Sequence, residues 1–325
     1  MDRHMATSSR YTLIKGHFWI HYPDHPRQGP EPDGDTVSFA ADDLALVRGL
    51  HWHSGHGPNI NARGIIPVRY EGIDALETHF RGAHQQLQFA RAARDENLRL
   101  LGFTNVVFFP DLPNKVSSVD VNPLRGYVIA NGIEANGRLL GLVYAGESTM
   151  ADGSRPFVDA AMLQQSINAK LVAAGLAYVE PYDSMPISLV QHLRTIIATA
   201  RAANTGLLGV ENVSKTQSGR VPDLATLQTL IMWPKLFRRL TAYFSEGFNG
   251  LGQFDSWLRL DPIHRDDSLR LPNGEKGNMH DAYRVNGDTM TLVYNPEELL
   301  IAPDPSPMGA ISALMTPAFL ASRGL

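Results

Sequence analysis

The sequence predicts an α+β chain: a small β-barrel with helices packed on its outside, followed by a smaller α+β C-terminal part. Three observations predict it. Five or six short segments rich in β-branched and aromatic residues fall between Tyr11 and Tyr144, with a single helical pattern set among them. Two long helical patterns follow, and past about Gly219 the chain changes to shorter apolar stretches separated by turns.

Taken in order, Tyr11 to Ile20 reads as a strand and the Pro/Gly-rich Pro23 to Asp33 as a loop. Thr36 to Phe39 resumes a strand after the Asp33-Gly34 turn, and a polar, His-bearing insertion, Leu50 to Arg63, separates it from a third strand, Ile65 to Tyr70. From His84 to Leu101 the spacing of Leu87, Ala90, Leu98 and Leu101 predicts a helix that stops at Gly102. Val106 to Phe109, Gly126 to Ala130 and Leu140 to Tyr144 read as further strands, the last two joined by a turn near Asn136-Gly137. Ala161 to Ala174, closed by Gly175, and Ser188 to Asn204 are the clearest helices. Leu224 to Phe244 is helical in pattern but interrupted by Pro234, and Trp257 to Leu300 reads as short strands with an Asn286-Gly287 hairpin. The division this suggests is 11–216 and 217–325.

Composition bounds the function. With 325 residues, 43% of them hydrophobic, the chain can bury one large core or two moderate ones. No apolar run reaches the roughly 18 residues that span a bilayer, and Met308 to Leu320 is broken by Pro317, so no membrane partner is expected. Met1 to Arg10 lacks the apolar centre of a secretory signal, which makes the cytoplasm the default location. Zero cysteines exclude disulfides and thiolate metal sites. A net charge of -4 argues against coating long nucleic acid through a global positive field, so a polyanion would need a local patch.

Four segments carry the chemistry: Asp33-Gly34-Asp35-Thr36-Val37, Arg69, Gly72 to Thr78, and Gly137-Arg138. Asp35 and Asp74 are hard oxygen donors at strand ends, of the kind Ca²⁺ or Mg²⁺ prefers. Glu77, three residues past Asp74, is placed to accept a proton from attacking water. Arg69 and Arg138 could each clamp phosphate oxygens as charge accumulates on phosphorus. In an unbroken strand Arg69 and Asp74, five apart, face opposite sides, so one pocket requires a break between them, expected at Gly72.

At these residues the chain resembles the staphylococcal nuclease-like (thermonuclease) family: an Asp-Gly-Asp-Thr-Val segment, an Arg followed five residues later by Asp and three after that by Glu, and a later Gly-Arg before a strand. Ser166-Ile167-Asn168 to Gly175-Leu176-Ala177 and Ala200 to Gly209 extend the likeness, which covers about residues 11–210. The resemblance implies a five-stranded OB-like barrel with three helices. It also implies hydrolysis of DNA or RNA with little base preference, dependent on Ca²⁺, with Mg²⁺ or Mn²⁺ as alternatives. By position, Asp35 and Asp74 would hold the metal, Glu77 would be the general base, and Arg69 and Arg138 would bind the phosphate. Tyr182 loosely matches the family's nucleotide-stacking tyrosines. The chain departs from the family at Leu76, where Pro is usual and the turn aims Glu77, and at Glu134-Ala135-Asn136 before the Gly-Arg pair. The alternative function is a barrel that has lost its chemistry and binds nucleic acid or a protein.

Two other clusters invite a metal reading, His51, His53 and His56 with His79 and His84, and His264, Asp266, Asp267, His280 and Asp281; solvated loops are the expected role of both. Arg238 and Arg239, beside aromatic residues, are expected to lie on a helix face covering a core, with nucleic-acid contact as the alternative.

Overall fold

A computed structural model describes residues 11–53 and 55–302. The stretch Met308 to Leu320 and the end of the 217–325 segment therefore lie outside the described residues.

Five strands close a mixed barrel: β1 (Thr12–Trp19), β2 (Thr36–Ala41), β3 (Ile65–Tyr70), β4 (Leu124–Ile133) and β5 (Leu139–Ala145), in the order β1-β2-β3-β5-β4. All pairs are antiparallel except β3 with β5, where Val68 faces Leu139 and Arg69 faces Leu140. This is the α+β barrel the strand pattern predicts, and β3 has the predicted ends. Both faces of the sheet are buried: Phe18, Phe39, Val68 and Val128 share one face and Leu13, Ile129 and Leu142 the other, all fully buried, and together they supply its main apolar stabilisation.

Helix α1 (Leu87–Leu101) packs the face formed by Ala90, Ala93, Asn97, Leu98 and Leu101 on the barrel, and it begins where the Gln86 side chain accepts from the Phe89 amide. Outside the barrel lie α2 (Ile167–Ala173) and α3 (Ile187–Ala202). The expected helix over 161–174 is two helices, Ala160–Gln165 and α2, and a further short helix spans Leu44–Arg48, so the barrel carries more than three. Ser166 makes the break: its backbone is extended, its hydroxyl donates to the Leu163 carbonyl, and its oxygen accepts from the Ala169 amide, capping α2. The predicted strand at Val106 to Phe109 also differs, since Val107–Phe108 pairs with Val116–Ser118 outside the barrel.

Beyond Gly219 come the short helix Leu224–Leu227, α4 (Pro234–Ser245), the helix Phe254–Arg259 and two three-stranded sheets. Pro234 starts α4 rather than kinking a longer helix, as its missing N–H allows at a first turn. Trp257 belongs to a helix, not to the strands predicted from that residue onward. The Asn286-Gly287 hairpin forms as predicted, joining Tyr283–Asn286 to Thr289–Leu292. Buried apolar side chains fall in two clusters, one centred on the barrel and one on α4, where Trp233, Phe237, Tyr243, Phe254 and Trp257 pack together. Among the described residues no helix is long and apolar enough to cross a membrane.

Candidate functional site

The site grows from the end of β3. Glycine at position 72 adopts φ +78°, a left-handed conformation that side chains resist, and an added Cβ would meet Leu193 at 2.7 Å. It ends β3 at Tyr70 and lets a new short strand, Ile73–Ala75, pair with Ala177–Val179. The break expected between Arg69 and Asp74 is thereby present, and Arg69 Nη2 donates to Asp74 Oδ1 at 2.6 Å. Asp35 arrives from the other side of β3, because Thr36 pairs with Arg69 and the Tyr70 amide donates to the Asp35 carbonyl. Arg69 Nη1 donates to Asp35 Oδ2, which also accepts from the Ala75 amide at 2.8 Å. Gly34 permits this approach, since a Cβ there would sit 2.5 Å from that of Ala75.

Glu77 follows from a turn held at several points. Leu76 is fully buried in the barrel's apolar cluster. Gln85 closes the turn by accepting from the Glu77 amide at 3.1 Å and donating its own amide to the Glu77 carbonyl at 2.9 Å. Hydrogen bonds and an apolar anchor thus do what a proline ring would do.

These residues face one cavity of about 530 Å³, a size typical of small-ligand sites. Asp35, Arg69, Glu77, Arg138 and Tyr182 line it, and Asp74 lies fully buried behind them. Arg138, just before the β5 residue paired with Val68, is bound to Glu134, with Nε to Oε1 at 3.0 Å. Tyr182 sits beneath Lys235, whose Nζ is 5.6 Å from the ring centre. Asp35, Arg69, Glu77, Arg138 and Tyr182 thus come together on one cavity, with Asp74 behind them. Among the described residues, the wall carries six basic side chains, Arg69, Arg81, Arg138, Lys235, Arg238 and Arg239, against the acidic Asp33, Asp35, Glu77 and Glu134. Basic side chains outnumber acidic ones in the lining, and the buried carboxylates Asp74 and Asp267 stand directly behind Arg69, Arg238, Lys235 and Arg239.

Two further residues complete the site: Arg238, which the sequence places on a core-covering helix face with nucleic-acid contact as the alternative, and Glu180, which the sequence does not single out. Arg238, on α4, donates from Nη1 to Asp74 Oδ1 (3.1 Å) and Glu77 Oε1 (2.6 Å), and from Nη2 to Asp74 Oδ2 (3.0 Å). Glu180, fully buried after the Ala177–Val179 strand, lies 4.0 Å from Arg69 and 3.8 Å from Arg238, and its Oε2 accepts from Trp233 Nε1 at 2.7 Å. Burial alone would raise the Asp74 carboxyl, but the Arg238 and Arg69 guanidinium groups outweigh it and hold Asp74 well below the usual range. Glu77 moves the other way, since burial raises it against the pull of Arg238. Burial and the neighbouring Asp74 charge push Glu180 up to about 7.

Asp35 and Asp74 offer the right kind of atom for a hard cation but not a free arrangement. Both Asp74 oxygens accept from guanidinium groups, and Asp35 Oδ2 accepts from Arg69 and from Ala75. Ca²⁺ takes six to eight oxygens and Mg²⁺ a near-ideal octahedron, whereas an ion here would confront two positive side chains. The residues as arranged do not fit Ca²⁺, Mg²⁺ or Mn²⁺. The other clusters do not assemble either: among the described residues no three His, Asp or Glu side chains are grouped to hold a metal. His280 pairs with Asp266 and Asp281, His264 with Asp261, and Asp267 with Lys235 and Arg239, while His51 and His53 pack ring to ring at 5.0 Å.

Comparison with known proteins found no family model that matches this chain and no similar curated protein.

Proposed function

We propose that this chain is a phosphodiester hydrolase of the staphylococcal nuclease-like type, cutting DNA or RNA with little base preference. The observation that carries the reading is the convergence of Asp35, Arg69, Glu77 and Arg138, from separate segments, on one cavity with a predominantly basic wall. Water attacks phosphorus in line while Glu77 takes its proton, and the P–O bond opposite the water breaks, the sugar oxygen leaving and taking up a proton from solvent; Arg238 occupies Glu77 Oε1, so Oε2 is the oxygen that accepts the proton. The raised Glu77 carboxyl brings the base nearer to neutral pH, where proton transfer is most effective. Arg69 spends two of its five N–H donors on Asp35 and Asp74, an arrangement that fixes its plane beside the cavity for a phosphate oxygen. Arg138 meets the phosphate from the turn before β5, trading its contact with Glu134 for oxygens whose charge grows as the pentacoordinate transition state forms.

The second reading, a barrel that holds nucleic acid without cutting it, draws on the Arg238 guanidinium seated on Glu77. One assay separates them. Labelled single- and double-stranded DNA and RNA are incubated with the full chain in chelator and in Ca²⁺, Mg²⁺ or Mn²⁺, with Glu77→Gln alongside. Cleavage by the wild type that falls about 10²- to 10⁴-fold in Glu77→Gln supports hydrolysis with Glu77 as base. Binding without cleavage under every condition supports the second reading and sinks the first.

A further inference from the structure

Arg238 is not on a mobile element. The first turn of α4 is pinned to the barrel: Gln85 donates to the Met232 carbonyl at 2.9 Å, Trp233 donates to Glu180 at 2.7 Å, and Trp233, Leu236 and Phe237 are fully buried. Arg238 lies one turn on and carries its guanidinium across both oxygens of Asp74 and one of Glu77. A helix anchored this way is a fixed wall of the cavity, so the guanidinium stays with the carboxylates.

We propose that Arg238 fills the cation position between Asp74 and Glu77, so that this site works with a resident guanidinium in place of a divalent ion. The chemistry of the two differs. A divalent ion gathers oxygens around a point and polarises bound water; a guanidinium neutralises carboxylates through directed N–H bonds and activates no water. Arg238 is therefore a positioning residue. It offsets the charge of Asp74, which in turn holds Arg69, and it fixes the Glu77 carboxylate by one oxygen. Proton removal then falls to Glu77 and charge stabilisation to Arg69 and Arg138. The functional consequence rests on the hydrolase reading, but the occupancy of the cation position can be tested without it.

The test is calorimetric titration of CaCl₂ into the chelator-treated full chain, wild type beside Arg238→Gln, with circular dichroism to verify folding. The wild type is expected to bind Ca²⁺ no more tightly than about 1 mM, the weak end of protein calcium sites. Arg238→Gln is expected to gain one site at least about tenfold tighter, because a positive charge within about 4 Å of the ion has been removed. A single tight Ca²⁺ site in the wild type overturns the proposal, and so does a folded Arg238→Gln protein with no gain in affinity. If Arg238→Gln does not fold, the wild-type titration decides alone. Wild-type cleavage that persists in chelator agrees with a resident guanidinium; cleavage abolished by chelator and restored by Ca²⁺ overturns it and leaves the hydrolase reading intact. Absence of cleavage in every condition sinks the hydrolase reading and leaves the titration to decide Arg238.

Discussion

The two regions that meet at the cavity handle buried charge in opposite ways. On the barrel, one guanidinium serves two aspartates: Arg69 lies between Asp35 and Asp74, with Glu77 and Glu180 close by. On the C-terminal side, one carboxylate serves two cations, since Asp267 accepts from both Lys235 and Arg239. The barrel cluster is short of positive charge and the α4 cluster has a surplus, which Arg238 carries across the junction. Neither cluster is balanced alone, so the C-terminal part completes the site electrostatically as well as walling it.

The comparison breaks most visibly if either hub is removed. Arg69→Ala would take from Asp35 its guanidinium partner and leave Asp74 to Arg238 alone, both aspartates being under a tenth exposed, and Asp267→Ala would take from Lys235 and Arg239 their shared carboxylate in a buried setting. Each is expected to lower stability by about 3–5 kcal/mol, the usual consequence of removing one partner of a buried ion pair. Chemical denaturation of both variants measures this. A loss below about 1 kcal/mol in either would mean that water or a neighbour already balances that hub.

A pH experiment isolates the barrel from the junction. Glu71 is fully buried beside Asn131, and burial pushes its carboxyl up to about 7. Because the folded state holds this proton more tightly than the unfolded chain does, the stabilisation is complete below the ordinary carboxyl value. It is lost as pH rises through about 7. The expected fall across that window is about 3 kcal/mol, at roughly 1.4 kcal/mol per unit. Glu180 titrates in the same sense. Glu71→Gln should flatten part of the fall in the denaturation midpoint between pH 5 and pH 8, the remainder belonging to the other buried carboxyls that burial raises, Glu180, Glu77 and Asp33. An unchanged slope would assign the whole effect to other groups.

The junction itself is probed by Trp233→Phe, which keeps most of the buried ring but removes the N–H that Glu180 Oε2 accepts. A cost of about 1–3 kcal/mol is expected, as for a buried acceptor left without its donor. Thermal unfolding checks it, and a neutral result would show that Glu180 carries its own proton at that position.

Much of the barrel was legible because its signals are local. β3 reads from Ile65 to Tyr70 through its β-branched residues and the glycines at each side, and the need for a break at Gly72 followed from strand periodicity alone. Ser166 was missed because a helix pattern runs through it, and only its capping hydrogen bonds show the stop. Arg238 was visible as a charged residue beside aromatics and was expected to cover a core, a description that suits Arg239 on Asp267. Its real partners lie 161 and 164 residues away, and no periodicity within α4 encodes such a distance.

The smallest expected effect on stability sharpens the contrast between a hub and a working contact. Arg138 is partly exposed and paired with Glu134 across the turn before β5, an arrangement worth about 0.2–1 kcal/mol. Arg138→Ala should therefore leave the denaturation midpoint almost unmoved, unlike Arg69→Ala. If Arg138 binds phosphate in the transition state, the same variant should slow cleavage by about 10²- to 10³-fold, with little change in substrate affinity. If affinity falls while turnover holds, Arg138 grips the ground-state backbone, and charge stabilisation rests on Arg69 alone. Full activity would remove Arg138 from the site and leave it as the hinge of an ordinary turn before β5.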